Sequence, residues 1–372
     1  MTRLVWLQYK ITAVVVAAAL LVVAVMLGVT GEHLLAVYRS MVGACQGSHD
    51  CSLADNAFQS TDNHLAQFLN YVVVVVPALI GLFWGAPLVS RELETGAFRL
   101  AWTQSVTRTR WLAVKLAAAG LAGMAVAGLV SLMVTWWWDP IAKVNLTLWA
   151  NFDQRDVVPI GYAALGFMLG VTAGLIFRRT LPAMATSLVV FVAARLSADH
   201  WLRPLLLSPV KLDAPVSQST INGFGQTNGA SPILFAGGPK LPNGWLYSVD
   251  IVNRTGQPLS AMKLRNVCPS LFQGFHGAVS GLGFGPSPGG PGGVAATVLG
   301  GGASVRAAPG PSNLSNPLPG CIARLTSTYH EVVTYQPASR YWPLQWVELG
   351  AYIAVALALV GVSVWWVRHR LS

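Results

Sequence analysis

Charged residues are scarce in this sequence, and two common catalytic motifs are missing from it. Of its 372 residues, 10% are charged and 53% are hydrophobic. No G-x-x-x-x-G-K-[ST] occurs, which excludes ATP binding through a P-loop. No H-E-x-x-H occurs and the seven histidines are scattered, so we expect no metal site in this chain.

Long uncharged runs are the main feature of what remains. A helix of about 20 apolar residues crosses a hydrocarbon core of about 30 Å, and the sequence predicts six such helices. A cleaved signal peptide is the alternative for the first run, but five further runs follow it, and we expect a retained first helix. The runs cover about 11–29, 68–89, 113–135, 157–177, 181–198 and 347–367.

Lys and Arg are distributed unevenly between the loops. With the N-terminus inside, the inner segments hold 11 of the 24 basic residues and 2 of the 14 acidic ones. The positive-inside rule therefore predicts that both termini are cytoplasmic. The net charge of +10 then reflects membrane topology, and we expect no nucleic-acid partner.

All four cysteines fall in segments predicted to lie outside, where disulfides persist. Four cysteines allow three pairings. We favour Cys45–Cys51 and Cys268–Cys321, because each pair lies within one outer segment. A metal site is the alternative, although neither pair has C-x-x-C spacing.

The sequence divides into a membrane domain and an outer domain. Residues 1–198 hold helices one to five, and 347–372 hold the sixth helix with a basic tail. Between them, 199–346 contain the β-like runs WLYSVDIVN and HEVVTYQ and a Gly/Pro-rich tract at 277–320. We predict an all-α polytopic membrane protein with six transmembrane helices and a β-containing, disulfide-tied extracellular domain between helices five and six.

Small residues in the spans predict how the helices pack. Gly166, Gly170 and Gly174 recur at intervals of four in the fourth span. They leave one helix face bare, which lets another helix approach closely. The alternative is that glycine is simply common in this chain, with 37 residues. Pro77, in the middle of the second span, predicts a bend.

A short charged segment from Ser90 to Lys115 interrupts the hydrophobic runs. Ser90 is placed to cap a new helix, and Glu92 and Glu94 then fall in its first turn, where the helix dipole favours anions. An apolar stripe at helical spacing follows. Such a helix either lies flat on acidic lipid or docks onto a soluble partner, and periodicity alone leaves both open. The stripe consists of Leu93, Ala97, Leu100 and Ala101.

The sequence RELETGAFRLAWTQSVTRTRWLAVKL resembles the intracellular loop of ABC-2-type (type V exporter) permeases, in a bacterial subset with a large outer domain before the last span. Their pattern is Arg-Glu, a second Glu, Gly-Thr, a hydrophobic stretch, and a Ser/Thr-Arg helix start followed by Lys. This chain departs from it with Ala97 in place of Thr and Ser105 where Pro is common. YQPASRYWPLQWVE before the last span resembles the same subset. The matching residues are Arg91, Glu92, Glu94, Gly96, Thr107, Arg108 and Lys115.

The resemblance implies that the loop at 90–112 is a coupling helix that inserts into a separate ATP-binding subunit. The chain would be the non-catalytic permease of an exporter for a lipid, drug or peptide, with ATP and Mg held by the partner and no cofactor of its own. A second permease copy in a homodimer and membrane lipid would be its other partners, in a bacterial plasma membrane. The implied docking residues are Arg91, Glu92, Leu93, Glu94, Gly96, Arg99, Leu100 and Trp102.

The resemblance also places a substrate pathway at spans two and five, along the interface between two copies. One alternative function is a membrane anchor for an extracellular sensing or binding domain, in which the inner loop could be scrambled without loss. An integral membrane enzyme is a third hypothesis, but it would need convergent polar groups at one depth, and the sequence shows none. The candidate pathway residues are Asn70, Tyr71, Phe83, Thr186, Ser187 and Phe191.

Overall fold

The structure is a computed structural model in which the chain forms two compact units. The membrane unit comprises Met1–Leu146, Asn151–Leu207 and Trp342–Ser372, and the β unit comprises Thr147–Ala150 and Ser208–Tyr341. The sequence analysis drew the corresponding boundaries after 198 and before 347. The residues that the structure describes are 2–42, 63–96, 107–145, 148–149, 151–216, 221–226, 232–236, 241, 243–267, 306–307 and 318–370.

Six helices in the described part of the chain are long and apolar enough to cross a membrane, which confirms the six predicted spans. Four of them extend well past the predicted apolar runs. The backbone hydrogen bonds of a helix do not require apolar side chains, so the helix can continue through flanking polar and aromatic residues. The spans are Ala13–Ser40, Gln67–Thr95, Thr109–Ala142, Val158–Phe177, Thr180–Ser197 and Ala338–His369.

Three π-helical stretches extend or join the α-helices. Tyr38–Val42 prolongs α1, Ile80–Gly85 joins α2 to α3 within the second span, and Ala198–Leu202 joins α6 to α7. In chain order the helices are α1 (Thr2–Val37), α2 (Asn63–Leu79), α3 (Ala86–Thr95), α4 (Arg108–Asn145), α5 (Val158–Phe177), α6 (Thr180–Ser197), α7 (Arg203–Leu206), α8 (Ala261–Val267), α9 (Leu318–Thr328) and α10 (Tyr341–His369).

Helix α5 lies at the centre of the membrane unit. It is apolar on all sides, which is typical of a buried helix, and 78% of its span is buried. It contacts α2, α3, α4 and α6. Its residues Phe167, Val171 and Leu175 belong to one core with Leu88 of α3 and Leu112 of α4. Helix α5 is therefore the shared packing partner of the second, third and fifth spans, whereas the first span packs against α4.

The glycine face of α5 lies against the second span. A Cβ added at Gly166 would lie 2.7 Å from the carbonyl oxygen of Pro77, and one at Gly174 would lie 2.7 Å from that of Ala86. Real Cβ atoms do not approach backbone oxygens so closely, so only glycine permits this contact. The predicted close-packing face is confirmed, and its partner is a helix of the same chain. The second span continues past Pro77 through the π-helical stretch Ile80–Gly85.

Among the described residues, the β unit contains two antiparallel three-stranded sheets with the strand orders β1-β6-β4 and β3-β2-β5. The runs predicted as β-like form β4 and most of β6, which pair with Val249 opposite Val333. These two valines share a core with Leu264 of α8 and Leu325 of α9. The strands are β1 (Val210–Pro215), β2 (Ile221–Gln226), β3 (Pro232–Ala236), β4 (Trp245–Asn253), β5 (Arg306–Ala307) and β6 (Tyr329–Gln336).

The connection between the third and fourth spans contributes a buried tryptophan to the β unit. The Trp149 ring centroid lies 5.4 Å from that of Trp245 and 5.3 Å from that of Tyr341. The backbone N–H of Leu148 donates to Oδ1 of Asn243 at 3.1 Å. The β unit is therefore assembled from two separate stretches of sequence.

The predicted disulfides fall largely on residues that are not described. Cys45, Cys51 and Cys268 lie outside the described residues, as does nearly all of the tract at 277–320. Cys321 is part of α9, but the description does not extend to its side chain. The two pairings and the extracellular position of the β unit therefore stay predictions.

Candidate functional site

The predicted docking segment begins inside a helix. Because α3 continues the second span through to Thr95, Ser90 lies in a helix interior and its Oγ donates to the carbonyl oxygen of Ala86 at 2.8 Å. The prediction that Ser90 caps a new helix is wrong. The backbone bonds of the apolar span simply continue into the charged residues, so no new helix starts at this point.

Glu92 and Glu94 consequently lie in the last turn of α3 and not in a first turn. A helix C-terminus carries negative partial charge and disfavours carboxylates. The prediction that the helix dipole stabilises these two carboxylates is therefore wrong, because the dipole disfavours them at this end. Each carboxylate is instead paired with a residue on a different helix.

Glu92 forms an ion pair with Lys115 of α4. Lys115 is 7% exposed, and its Nζ also lies 4.7 Å from the centroid of the Trp111 ring. A buried ammonium group is stable only with such compensation. The pair joins the end of α3 to the beginning of α4.

Glu94 caps the first turn of α6. Its Oε1 accepts a hydrogen bond of 2.9 Å from the backbone N–H of Thr180, and its Oε2 accepts one of 2.7 Å from the Thr180 hydroxyl. The first N–H groups of a helix have no partner within the helix. Arg179, which precedes α6, makes no side-chain cap. An acidic residue from α3 therefore supplies the cap that the α6 sequence lacks.

The other described docking residues differ in their surroundings. Arg91 is exposed, whereas Leu93 packs against the core that contains Leu88. Gly96 has a φ of +70° and ends α3 in the left-handed conformation that glycine adopts most easily. Arg99, Leu100 and Trp102 lie outside the described residues.

Several exposed arginines surround this end of the membrane unit, which we call the Gly96 end. The ends of α5 and α10 meet there, where Nη2 of Arg178 donates to the carbonyl oxygen of Arg370 at 3.1 Å. Cations near helix C-termini are favourable. The exposed arginines of the Gly96 end are Arg91, Arg110, Arg178, Arg179, Arg368 and Arg370.

A buried ionic cluster lies at the opposite end of the membrane unit. Arg203 and Glu348 pair at 3.1 Å with side chains that are 2% and 0% exposed. The Tyr162 hydroxyl donates to Oε1 of Glu348 at 2.7 Å, and the Arg203 guanidinium lies 5.0 Å from the centroid of the Phe152 ring. This cluster was not predicted from the sequence. The one signal for it was an acidic residue inside the sixth apolar run.

The six predicted pathway residues do not share one environment. Tyr71 and Phe83 are 70% and 57% exposed, whereas Ser187 and Phe191 are buried. Ser187 donates to the carbonyl oxygen of Met184 at 2.9 Å. An apolar groove of about 310 Å³ lies between α1 and α4, and none of the six lines it. Asn70 and Thr186 are half-buried.

The described residues include no group of three or more His, Cys, Asp or Glu side chains that could hold a metal ion. Charged, hydroxyl and apolar side chains make up the described part of the Gly96 end.

Comparison with known protein families gave one result for the first half of the chain. The family model described as "ABC-2 membrane transporter related" matches residues 2–203. This match covers the first five spans and all of the described docking residues. Comparisons with curated proteins and with solved structures returned no match.

Proposed function

Because the chain belongs to the ABC-2 membrane transporter related family, we propose that it is the permease subunit of an ATP-driven exporter. ATP and Mg bind a separate nucleotide-binding subunit, since the sequence has no P-loop. In this proposal the Gly96 end faces the cytoplasm, in agreement with its basic side chains. The partner subunit docks at that end, on the loop that follows α3.

The observation that carries the proposal is the rigid attachment of the last turn of α3. Glu92 pairs with Lys115 of α4, Glu94 caps α6, and Leu93 packs into the core. A surface segment held in this way moves together with the helices it contacts. A force applied by a partner at this turn would therefore reach the spans.

The docking residues divide between partner contact and internal attachment. Arg91 is exposed near the end of α3, and Arg99, Leu100 and Trp102 follow in the sequence. We assign these four to the partner interface and Glu92 and Glu94 to attachment. The facing rim of the ATPase would then be acidic, and its charges would govern encounter and orientation more than affinity.

The substrate pathway in this proposal runs between two copies of the chain in a homodimer. Tyr71 and Phe83 of the second span expose their rings and would face the pathway or the second copy. Their apolar character fits export of a lipid, an amphipathic drug or a peptide from a bacterial plasma membrane. Membrane lipid surrounds the remaining exposed helix faces.

Co-purification with an ATPase tests the proposal. The ATPase encoded beside this chain, recognised by its Walker motif, is co-expressed with the tagged chain and recovered in detergent. We expect Arg91→Glu to lower the recovered ATPase about tenfold, which corresponds to about 1.4 kcal/mol. Arg368→Glu is the matched control, because Arg368 is exposed at the same end but lies outside the docking segment.

Two outcomes would contradict the proposal. The first is that no ATPase accompanies the unsubstituted chain. The second is that scrambling residues 97–106 leaves both ATPase recovery and the chain's activity in cells unchanged, as expected for a membrane anchor of a sensing domain.

A further inference from the structure

We infer that Glu94 is a positioning residue that makes the fifth span follow the docking segment. The inference rests on the proposed function, because it assumes that a partner displaces the end of α3. The contact itself is a property of this chain alone. One carboxylate joins the last turn of α3 to the first turn of α6, although Glu94 and Thr180 are 86 residues apart.

The position of Glu94 is unfavourable in its own helix and favourable in the neighbouring one. The carbonyl end of α3 carries negative partial charge, whereas the N–H groups at the start of α6 carry positive partial charge. Both of its carboxylate oxygens are bound to Thr180, at 2.9 and 2.7 Å. Separating the two helix ends would exchange these bonds for contacts with water, since Glu94 is exposed, and would remove the cap from the first turn of α6. The two ends therefore stay together when α3 moves.

A second contact, one turn earlier in α3, strengthens the attachment. The Thr180 hydroxyl has a single proton, which it donates to Glu94. The Ser90 hydroxyl also has a single proton, which it donates to the carbonyl oxygen of Ala86 at 2.8 Å. Its oxygen lies 3.1 Å from Oγ1 of Thr180, so the two side chains are in contact. Ser90 is fully buried. Thr180 thus contacts α3 at two levels, one helical turn apart.

The position of the fifth span relative to α3 depends on the Glu94 contact. The position of the third span depends less on Glu92. Helix α4 follows α3 directly in the chain, so the short covalent connection already limits how far they separate. Helix α6 has no such short covalent link to α3. Glu94 and Ser90 are the polar contacts that the structure records between α3 and the start of α6.

Two variants separate attachment from simple helix capping. Glu94→Ala removes both the contact with α3 and the cap of α6. Glu94→Ala combined with Arg179→Ser restores a cap within α6, because serine is a favourable residue at the position before a helix, but it does not restore the contact with α3. Arg179→Ser alone is the matched control.

Hydrogen exchange on the purified full chain tests the contact without any partner. We expect Glu94→Ala to speed exchange in peptides covering residues 178–186 about fivefold, since the cap no longer opposes opening of the first turn. The double variant should exchange at the unsubstituted rate there. Unchanged exchange in Glu94→Ala would overturn the inference.

A label on α6 tests the transmission. Leu181 is 80% exposed, and a nitroxide on Leu181→Cys reports movement of the first turn, with the chain lacking that substitution as the baseline. In the complex with the ATPase, we expect ATP and vanadate to change the label's mobility. The Glu94→Ala and Arg179→Ser double variant should lose at least four-fifths of that change while it recovers the same amount of ATPase.

The outcomes distinguish the inference from the function on which it rests. An equal response of the label with and without Glu94 would overturn the inference and leave the proposed function standing. Failure of the unsubstituted chain to recover any ATPase would overturn the proposed function and the transmission role together, whatever the exchange rates show.

Discussion

Tyr162 of α5 donates a hydrogen bond of 2.7 Å to Glu348 of α10, the same carboxylate that pairs with Arg203. The three residues come from three different helical segments of the membrane unit. Because Arg203 and Glu348 are both almost fully buried, each charge depends on the other. The cluster therefore fixes α5, α7 and α10 relative to one another.

We expect Glu348→Ala to destabilise the chain by about 3–5 kcal/mol, because it leaves the Arg203 guanidinium buried without its counter-charge. Tyr162→Phe should cost about 1.5–3 kcal/mol, the range for a hydrogen bond to a charged group. Thermal unfolding of the purified chain in detergent measures both. The double substitution Glu348→Ala and Arg203→Met should cost less than Glu348→Ala alone. A double variant that is less stable than the single one would contradict this account.

Gly174→Ala should destabilise the chain by about 1–3 kcal/mol, the usual cost of overpacking. The added methyl group would lie 2.7 Å from the carbonyl oxygen of Ala86, which cannot move without shifting α3. Gly350→Ala is the matched control, since no atom lies within 4 Å of its added Cβ. That control should be neutral or stabilising by up to about 1 kcal/mol. Equal unfolding temperatures for the two variants would refute the tight contact between α5 and the second span.

Glu92→Gln should destabilise the chain by about 1–3 kcal/mol, because the buried Lys115 ammonium loses its counter-charge. Exchanging the two residues, as Glu92→Lys with Lys115→Glu, should recover part of that loss. Chemical denaturation of the purified chain in detergent provides the comparison, with Lys115→Glu alone as the reference. If the exchanged variant were no more stable than that reference, the ion pair would not be the source of the effect.

The six spans could be predicted because each depends on a continuous stretch of sequence. A run of apolar residues determines membrane insertion wherever its neighbours lie. The glycine face of α5 was predictable for the same reason, since a period of four residues is local information. The helix that packs against this face could not be predicted, because the contact joins residues that are far apart in the sequence.

The charged residues near Gly96 show where prediction from sequence failed. Ser90 and Glu92 fit the local pattern of a helix start, but the helix of the second span had not ended. Glu94 finds its partner 86 residues away, and Arg203 finds Glu348 at a separation of 145 residues. The packing of the folded chain determines which of these residues become partners, and no local sequence motif predicts such pairs. Gly96 ends a helix in the structure, and its role in docking stays a prediction.

The π-helical stretch Ile80–Gly85 holds one more residue per widened turn than an α-helix would need. Each residue of an α-helix turns the chain by about 100°. Deleting one residue from this stretch would therefore swing Arg91 and the two glutamates around the helix axis, away from Lys115 and Thr180. The direction in which this protein presents the side chains of the Gly96 end is thus set by a backbone irregularity in the middle of the second span.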